Sequence, residues 1–444
     1  MKCRGVSSLV PGLHDRLTPA DRLWLTSLGL DAEADTSIED WCERSRARAF
    51  QLLGQAIVSR GDRLPRHPTN ALRPDEIVWG RAPARLDLGG GWTDTPPYAL
   101  ERGGCVINAA VNLNGQPPIH CYARVIADRV IRIGSIDLGT RIEVRRLEDL
   151  LDYRQATNEF ALAKAALALS GFSPEAAAWP DDVSSLESML DRFGGGIELT
   201  TLAAVPKGSG LGTSSIMGAV ILAVIHRLMG RAIDGRQLFH GVLRLEQALT
   251  TGGGWQDQVG GVAQDVKVIT SGPGLVPDVG IHYVPGDVLD PRTNGGCTLL
   301  YYTGITRLAK NILQQVVGRY LDRDRAALAT LRQLHALPRR VADAMARKDV
   351  RAFGEMIDVA WRLNKQLDPD SSNAAIEAVL ARVSPHVVGA KLLGAGGGGF
   401  LLMVCRSAAD AAEVCRILTD DPPNDRARFF DFVISREGLA VTVC

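Results

Sequence analysis

The sequence predicts an α+β protein whose ligand sits in a cleft between two lobes. Strand-like and helix-like runs interleave from Glu76 to the C-terminus, and three glycine-rich stretches stand far apart along the chain. These are residues 82–94 (APARLDLGGGWTD), 206–215 (PKGSGLGTSS) and 391–399 (KLLGAGGGG). Glycine gives a backbone access to positive φ and close approach to a ligand, at an entropic cost. Three such stretches imply backbone amides gathered around something. With 444 residues, 46% hydrophobic and 23% charged, the chain is long enough for two or three domains with real cores.

Taken in order, residues 1–74 differ from the rest. A helix-like run at 40–57 leads into a Pro/Arg-rich connector at 60–74, with no chemical motif in either, so this region reads as a helical extension. Alternating or continuous apolar runs bounded by turns then predict strands at 77–79, 105–113, 119–125 and 130–133. A helix at 159–169 is followed by a linker holding Pro174 and Pro180, and a strand at 197–202 runs into the middle glycine stretch. Apolar residues at helical spacing predict helices at 214–228 and 236–249. A turn at 251–254 and a strand-rich segment to about 284 come next, then a strand at 297–302. Amphipathic helices are expected at 307–321, 324–347 and 350–366, strands at 386–393 and 400–405, a helix at 408–418 and a last strand at 430–434. There is no internal repeat and no low-complexity segment.

Charge and cysteine usage exclude several classes. Lys+Arg and Asp+Glu both number 50, so no global charge draws the chain to nucleic acid or an anionic membrane. The eight cysteines form no CxxC pair and no Cys/His cluster, which reads as reduced thiols of a cytoplasmic protein rather than a disulfide frame or a zinc site. The N-terminus lacks the apolar stretch of a signal peptide, and the longest apolar run, 216–225, is too short to span a bilayer. The expected partners are small molecules, and the oligomeric state is left open.

Among nucleotide signatures, no G-x-x-x-x-G-K-[ST] occurs. Residues 394–399 satisfy G-x-G-x-x-G by letter, but a strand-like run follows and no βαβ unit surrounds them, so a dinucleotide fold is not expected. In the middle stretch the glycines run into Thr213, Ser214 and Ser215 and then a helix. That sets unpaired amides and the positive end of a helix dipole beside hydroxyls, which suits phosphate and a metal ion. The plainer alternative is a glycine-rich turn ahead of a buried helix. Asp257, in GGGWQDQ, is placed to orient a substrate hydroxyl and accept its proton, or else is a solvated turn carboxylate. Glu246 on the preceding helix, together with a serine hydroxyl, makes a hard-oxygen pair for Mg²⁺. Arg85 would pair with Asp257 if the two meet across the cleft, and would then offset charge on a moving phosphoryl group. Asp94 suits two sugar hydroxyls or an Asx turn before Pro96, and Trp92 suits either the face of a sugar ring or the core.

These three stretches, in this order, resemble the three motifs of the GHMP kinase superfamily, over the chain from Glu76 to the C-terminus. Within it the sequence is most similar to the L-fucokinase branch through residues 85–98 (RLDLGGGWTDTPPY), 210–215 (GLGTSS), 251–261 (TGGGWQDQVGG) and 360–373 (AWRLNKQLDPDSSN). Galactokinases resemble the first of these but carry Glu-His where this chain has Gly91-Trp92. The resemblance implies a helical N-terminal extension over 1–74, an N-terminal lobe like the second domain of ribosomal protein S5 over 75–285, and a ferredoxin-like C-terminal lobe over 286–444. ATP and Mg²⁺ are implied with it. Lys207, Gly208, Ser209, Gly210, Leu211, Gly212, Thr213, Ser214 and Ser215 would wrap the triphosphate. Ser214 and Glu246 would hold the metal, with Ser215 the other eligible hydroxyl. Residues 394–399 would shape the closing wall, Gly396, Gly397 and Gly398 among them. Asp257 would be the base-like residue with Arg85 its partner, and Asp94, Gly91, Trp92 and Asp257 would surround the sugar. The implied activity is phosphorylation of the anomeric hydroxyl of L-fucose. The alternatives are a heptose 7-phosphate kinase or another sugar 1-kinase, and a non-catalytic sugar-nucleotide sensor. The bifunctional members carry a pyrophosphorylase domain ahead of the kinase; the stretch before Glu76 is too short for one, so that second activity is not expected.

Overall fold

The computed structural model describes residues 63–444 apart from 155–158, 250–252, 275–276 and 306–308, and from the earlier chain only Arg48, Leu52 and Val58. The helical extension expected over 1–74 therefore lies almost wholly outside the described residues. In chain order, β1 (Val78–Ala82) and β2 (Ala84–Gly89) are parted by Pro83. Helix α1 (Tyr98–Arg102) precedes β3 (Gly104–Leu113), β4 (Ile119–Ile126), β5 (Ile131–Ser135) and β6 (Thr140–Val144). Helices α2 (Leu147–Leu151), α3 (Ala161–Leu169) and α4 (Leu186–Phe193) lead to β7 (Gly196–Ala203). Next come α5 (Thr213–Leu228), α6 (Gly235–Ala248), α7 (Gln256–Val262), β8 (Val266–Ser271), β9 (Val279–Val284) and β10 (Thr298–Tyr302). The second half holds α8 (Ala309–Leu321), α9 (Arg325–Ala346), α10 (Val350–Leu367), α11 (Ala374–Val383), β11 (Val387–Leu392) and β12 (Phe400–Cys405). It closes with α12 (Ala408–Asp420), β13 (Arg428–Phe430), β14 (Phe432–Ile434) and β15 (Ala440–Val443).

Three sheets organise these elements. One runs β15-β1-β4-β7-β5-β6, antiparallel except for β5 beside β7. Its inner face packs on α5, whose run from Ser215 to Ile225 is buried throughout. A second sheet is centred on β3, with β2 on one edge and β8 and β14 sharing the other; β9 pairs β8. The third, β11-β12-β10-β13, is antiparallel. Helices α9 and α10 contribute to the large core cluster shared by the second and third sheets. Strand β12 is buried on both faces: Phe400, Leu402 and Val404 join that cluster, and Leu401, Met403 and Cys405 join the one under α11 and α12. A continuous apolar run is what a central strand requires.

The structure departs from the sequence expectations at a few elements. The single strand at 430–434 is two strands in different sheets: Phe430 pairs Leu300, whereas Phe432 pairs Leu113. The chain changes sheet at Asp431 and then supplies β15, which pairs β1, so its last strands return to the sheets of the first half. Helix α4 lies just past the Pro174–Pro180 linker, with a Ser185/Ser188 capping box and Leu186, Met189, Leu190 and Phe193 buried. The strand-like segment around Arg85 is β2, and helix α11, capped by Asn373, and strands β6 and β15 are further additions.

Candidate active site

The three glycine stretches meet. Gly210 (φ 76°) and Gly394 (φ 69°) are pressed backbone to backbone, and a Cβ built on Gly394 would lie 2.9 Å from the Gly210 Cα. Only glycine tolerates both the conformation and the approach. The Phe400 N–H donates to the Ser209 carbonyl at 3.1 Å, and the Arg85 N–H donates to the Leu211 carbonyl at 3.2 Å. Between them opens a cleft of about 330 Å³, of ordinary size for a small-molecule site. Its lining comes from the first stretch (Arg85, Asp87, Gly91, Trp92, Asp94, Thr95), the second (Gly210, Gly212, Ser214, Ser215), Glu246 of α6, Gly253 and Gly254 ahead of α7, Gln256 and Asp257 in its first turn, and the third (Gly394, Ala395).

Arg85 and Asp257 do meet. The Arg85 Nε donates to Asp257 Oδ1 at 2.8 Å, its Nη2 makes a further short contact to the same oxygen, and its Nη1 donates to the Gly210 carbonyl at 3.1 Å. Burial alone would lower the Arg85 pKa; the charges of Asp257 and Asp87 outweigh it and hold the guanidinium above its usual range. Asp257 is in the first turn of α7 rather than in an open loop, because the chain turns helical directly after Trp255. Trp255 is buried against Val106, Phe239, Val259 and Ile269, which anchors the start of that helix. Asp94 Oδ2 accepts the Gln256 N–H at 3.1 Å. Burial, and then the charge of Asp257, push the Asp94 carboxyl up to about 7.

At the other end of the cleft, α5 begins at an αL Gly212 with no side-chain cap, leaving its first amides to a ligand. The hydroxyl that reaches Glu246 is Ser215, in a short hydrogen bond to Oε1; Ser214 lines the cleft one residue earlier and is exposed. Burial pushes the Glu246 carboxyl up to about 8; the Ser215 bond opposes this and the charges of Asp257 and Asp94 add to it. A buried carboxyl beside a hydroxyl at the cleft wall fits Mg²⁺, which takes one or two carboxylates with phosphate oxygens and water. Among the described residues no group of three or more His, Cys, Asp or Glu could enclose a metal, so the phosphates themselves would have to complete such a shell.

Other expected residues fall beside the cleft rather than in its wall. Lys207 and Gly208 are exposed, Leu211 is buried, and the Ser209 hydroxyl faces that of Thr213 at 3.4 Å. Gly396, Gly397 and Gly398 turn away: the Gly397 N–H donates to the Ser371 carbonyl at 2.6 Å, and Gly398 lies on Ile305. Of the expected closing wall, Gly394 lines the cleft, together with Ala395. Trp92 lines the cleft with φ 77°, a conformation costly for a bulky residue. Sequence reasoning missed a buried ion pair, Lys391 Nζ to Asp87 Oδ2 at 2.6 Å, with a second bond to the Asp87 carbonyl at 3.0 Å. Both residues stand inside the quoted motifs; the signal was a charge at a strand position otherwise apolar.

The model for the GHMP kinases N terminal domain matches residues 183–263, and that for the GHMP kinases C terminal domain matches 341–424. The chain belongs to the GHMP kinases. This GHMP kinase is 41% identical over 394 residues to an L-fucokinase/L-fucose-1-P guanylyltransferase of Bacteroides fragilis, a match covering 89% of the chain and 41% of the relative. It is 33% identical over 354 residues to a bifunctional fucokinase/GDP-fucose pyrophosphorylase of Arabidopsis thaliana, covering 78% and 32%. The chain thus spans well under half the length of these relatives. Its fold matches the crystal structure of a D-glycero-D-manno-heptose 1-phosphate kinase from Bacteroides thetaiotaomicron at TM-score 0.60 and 18% identity, over 82% of this chain and 98% of that one. The architecture is therefore the α+β fold of these kinases. Among the described residues no helix is long and apolar enough to cross a membrane.

Proposed function

We propose that this GHMP kinase is a cytoplasmic, ATP-dependent sugar 1-kinase that transfers the γ-phosphoryl group to the anomeric hydroxyl of L-fucose, giving fucose 1-phosphate and ADP. The observation that carries this is the Arg85–Asp257 pair, set in one cleft with the uncapped start of α5 and Glu246. The similarity to relatives named for fucokinase supplies the sugar. Asp257 would orient the anomeric hydroxyl and take its proton late, since that hydroxyl is more acidic than an ordinary alcohol and phosphoryl transfer is loose. Arg85 would hold Asp257 in place and offset charge on the phosphoryl group. The amides at the start of α5 and the 206–212 turn would cradle the phosphates, and Asp94, Gly91 and Trp92 would hold the sugar. Glu246, with Ser215 and Ser214 at hand, would hold Mg²⁺, which when bound supplies charge neutralisation on the phosphate oxygens. The same reading keeps lobes at about 75–285 and 286–444, with β14 and β15 crossing back to the first.

A heptose-phosphate kinase is the second reading, favoured by 25% identity over 339 residues to a D-glycero-alpha-D-manno-heptose 7-phosphate kinase of Campylobacter jejuni. Against it, Arg85 is the one cation among the described cleft-lining residues and is committed to Asp257, which leaves a second phosphate without a partner. The deciding assay is ADP release with L-fucose, D-arabinose, D-galactose, D-mannose and heptose 7-phosphate. L-Fucose is expected to give the highest kcat/KM; a preference for the phosphorylated heptose overturns the assignment, and no turnover with any of them favours a sensor.

A further inference from the structure

Gln256 has no role in the scheme so far. It stands beside two of the cleft's carboxylates, adjacent to Asp257 in the chain and bonded through its backbone N–H to Asp94 Oδ2 at 3.1 Å. Its carbonyl oxygen faces the Asn108 Nδ2 at 3.4 Å. Both backbone groups are thus engaged, and the residue is fixed in the first turn of α7. Gln256 lines the cleft and only 6% of the residue is exposed, yet its amide oxygen Oε1 has no hydrogen-bond partner among the described residues. A buried acceptor without a partner carries a desolvation penalty. A protein retains one at a cleft wall when a ligand supplies the missing donor.

Building on the sugar-kinase reading, we propose that Gln256 is a sugar-recognition residue whose side-chain oxygen accepts a ring hydroxyl of the substrate other than the one phosphorylated. The chemistry selects. An amide oxygen accepts only from a donor, so the site would favour a sugar with a hydroxyl at that carbon over its deoxy analogue, which leaves the acceptor buried and unpaired. Asp94, bonded to the Gln256 backbone, and Asp257, next in the chain, line the same cleft, so the three acceptors together would read hydroxyls of one ring.

The test compares the unmodified protein with Gln256→Met, close in volume and free of polar atoms. Kinetics are measured with L-fucose and its 2-, 3- and 4-deoxy analogues at saturating ATP, alongside thermal unfolding with and without sugar. Gln256→Met is expected to raise the KM for L-fucose by about 10- to 100-fold, the range of a hydrogen bond to a buried polar partner, with the KM for ATP within about twofold of the original. One deoxy analogue should be nearly indifferent to the substitution, and it identifies the hydroxyl. Without sugar the variant should unfold no lower than the parent, because a lone buried acceptor has been replaced by apolar surface. The protection conferred by L-fucose should shrink. An unchanged KM for L-fucose, an equal loss on every analogue, or a sugar-free melting point several degrees lower would each overturn the proposal, the last by showing that the amide supports the fold. If the unmodified protein turns over none of these sugars, the kinase reading itself fails. If it is active and Gln256→Met is indifferent, only the role of Gln256 fails.

Discussion

At Asp257 a single carboxylate is held by Arg85 through two nitrogens, one of them at 2.8 Å, and is still partly exposed to the cleft. Removing its charge with little change of shape separates binding from chemistry. Asp257→Asn should retain sugar and ATP affinity while turnover falls by about 10²- to 10⁴-fold, the scale of a positioned acid–base group; single-turnover kinetics beside equilibrium binding would show it, and near-normal turnover would remove Asp257 from its role. Asp94 makes a pH prediction. Its carboxyl is pushed up to about 7 by burial and by Asp257, so below that pH it holds a proton that the unfolded chain has released. The unfolded state then binds fewer protons, and sugar-free stability should fall as pH rises from the ordinary carboxylate range to about 7, levelling above it. Sugar affinity should move the opposite way, increasing through about pH 7 as Asp94 becomes an acceptor on both oxygens. Calorimetric titration with L-fucose tests this, and Asp94→Asn should flatten the profile; a flat profile in the unmodified protein would show that Asp94 does not titrate in sugar binding.

Among the elements, β2 and β11 are coupled by charge. Lys391 on β11 and Asp87 on β2 are 1% and 2% exposed in their side chains, so neither can turn to water if the other is lost. Burial lowers the Lys391 pKa and Asp87 draws it partly back. Lys391→Met strands a buried carboxylate and should cost roughly 3–5 kcal/mol, whereas adding Asp87→Leu should recover most of it; chemical denaturation of the two variants distinguishes this from simple loss of packing, which would make the costs add. Which elements were legible follows from burial pattern. The run 400–405 read as a strand and 216–225 as part of a helix because a long apolar segment has few alternatives; the structure buries the strand on both faces. The run 430–434 read as one strand because it is apolar except at Asp431; the change of sheet there leaves no trace in a local pattern. Helix α4 did carry a start signal, Ser185 before apolar residues at helical spacing, masked by the prolines ahead of it.

Across the whole molecule, the sequence by itself determined the chemistry on offer: which stretches approach a ligand through bare backbone, which acids and hydroxyls stand beside them, and which apolar runs must be buried. Those are properties of residue type and spacing, and they placed Arg85, Asp94, Glu246 and Asp257 as the groups to watch. Only the tertiary structure decided which of them touch. It chose Ser215 over Ser214 for Glu246, turned Gly396–Gly398 toward Ser371 and Ile305 while Gly394 and Ala395 took the wall, and joined Asp87 to Lys391 across residues more than three hundred positions apart. The physical reason is that a hydrogen bond or an ion pair is settled within a few ångströms, by the register of strands and the first turn of a helix, while periodicity along a chain specifies a face and never a partner.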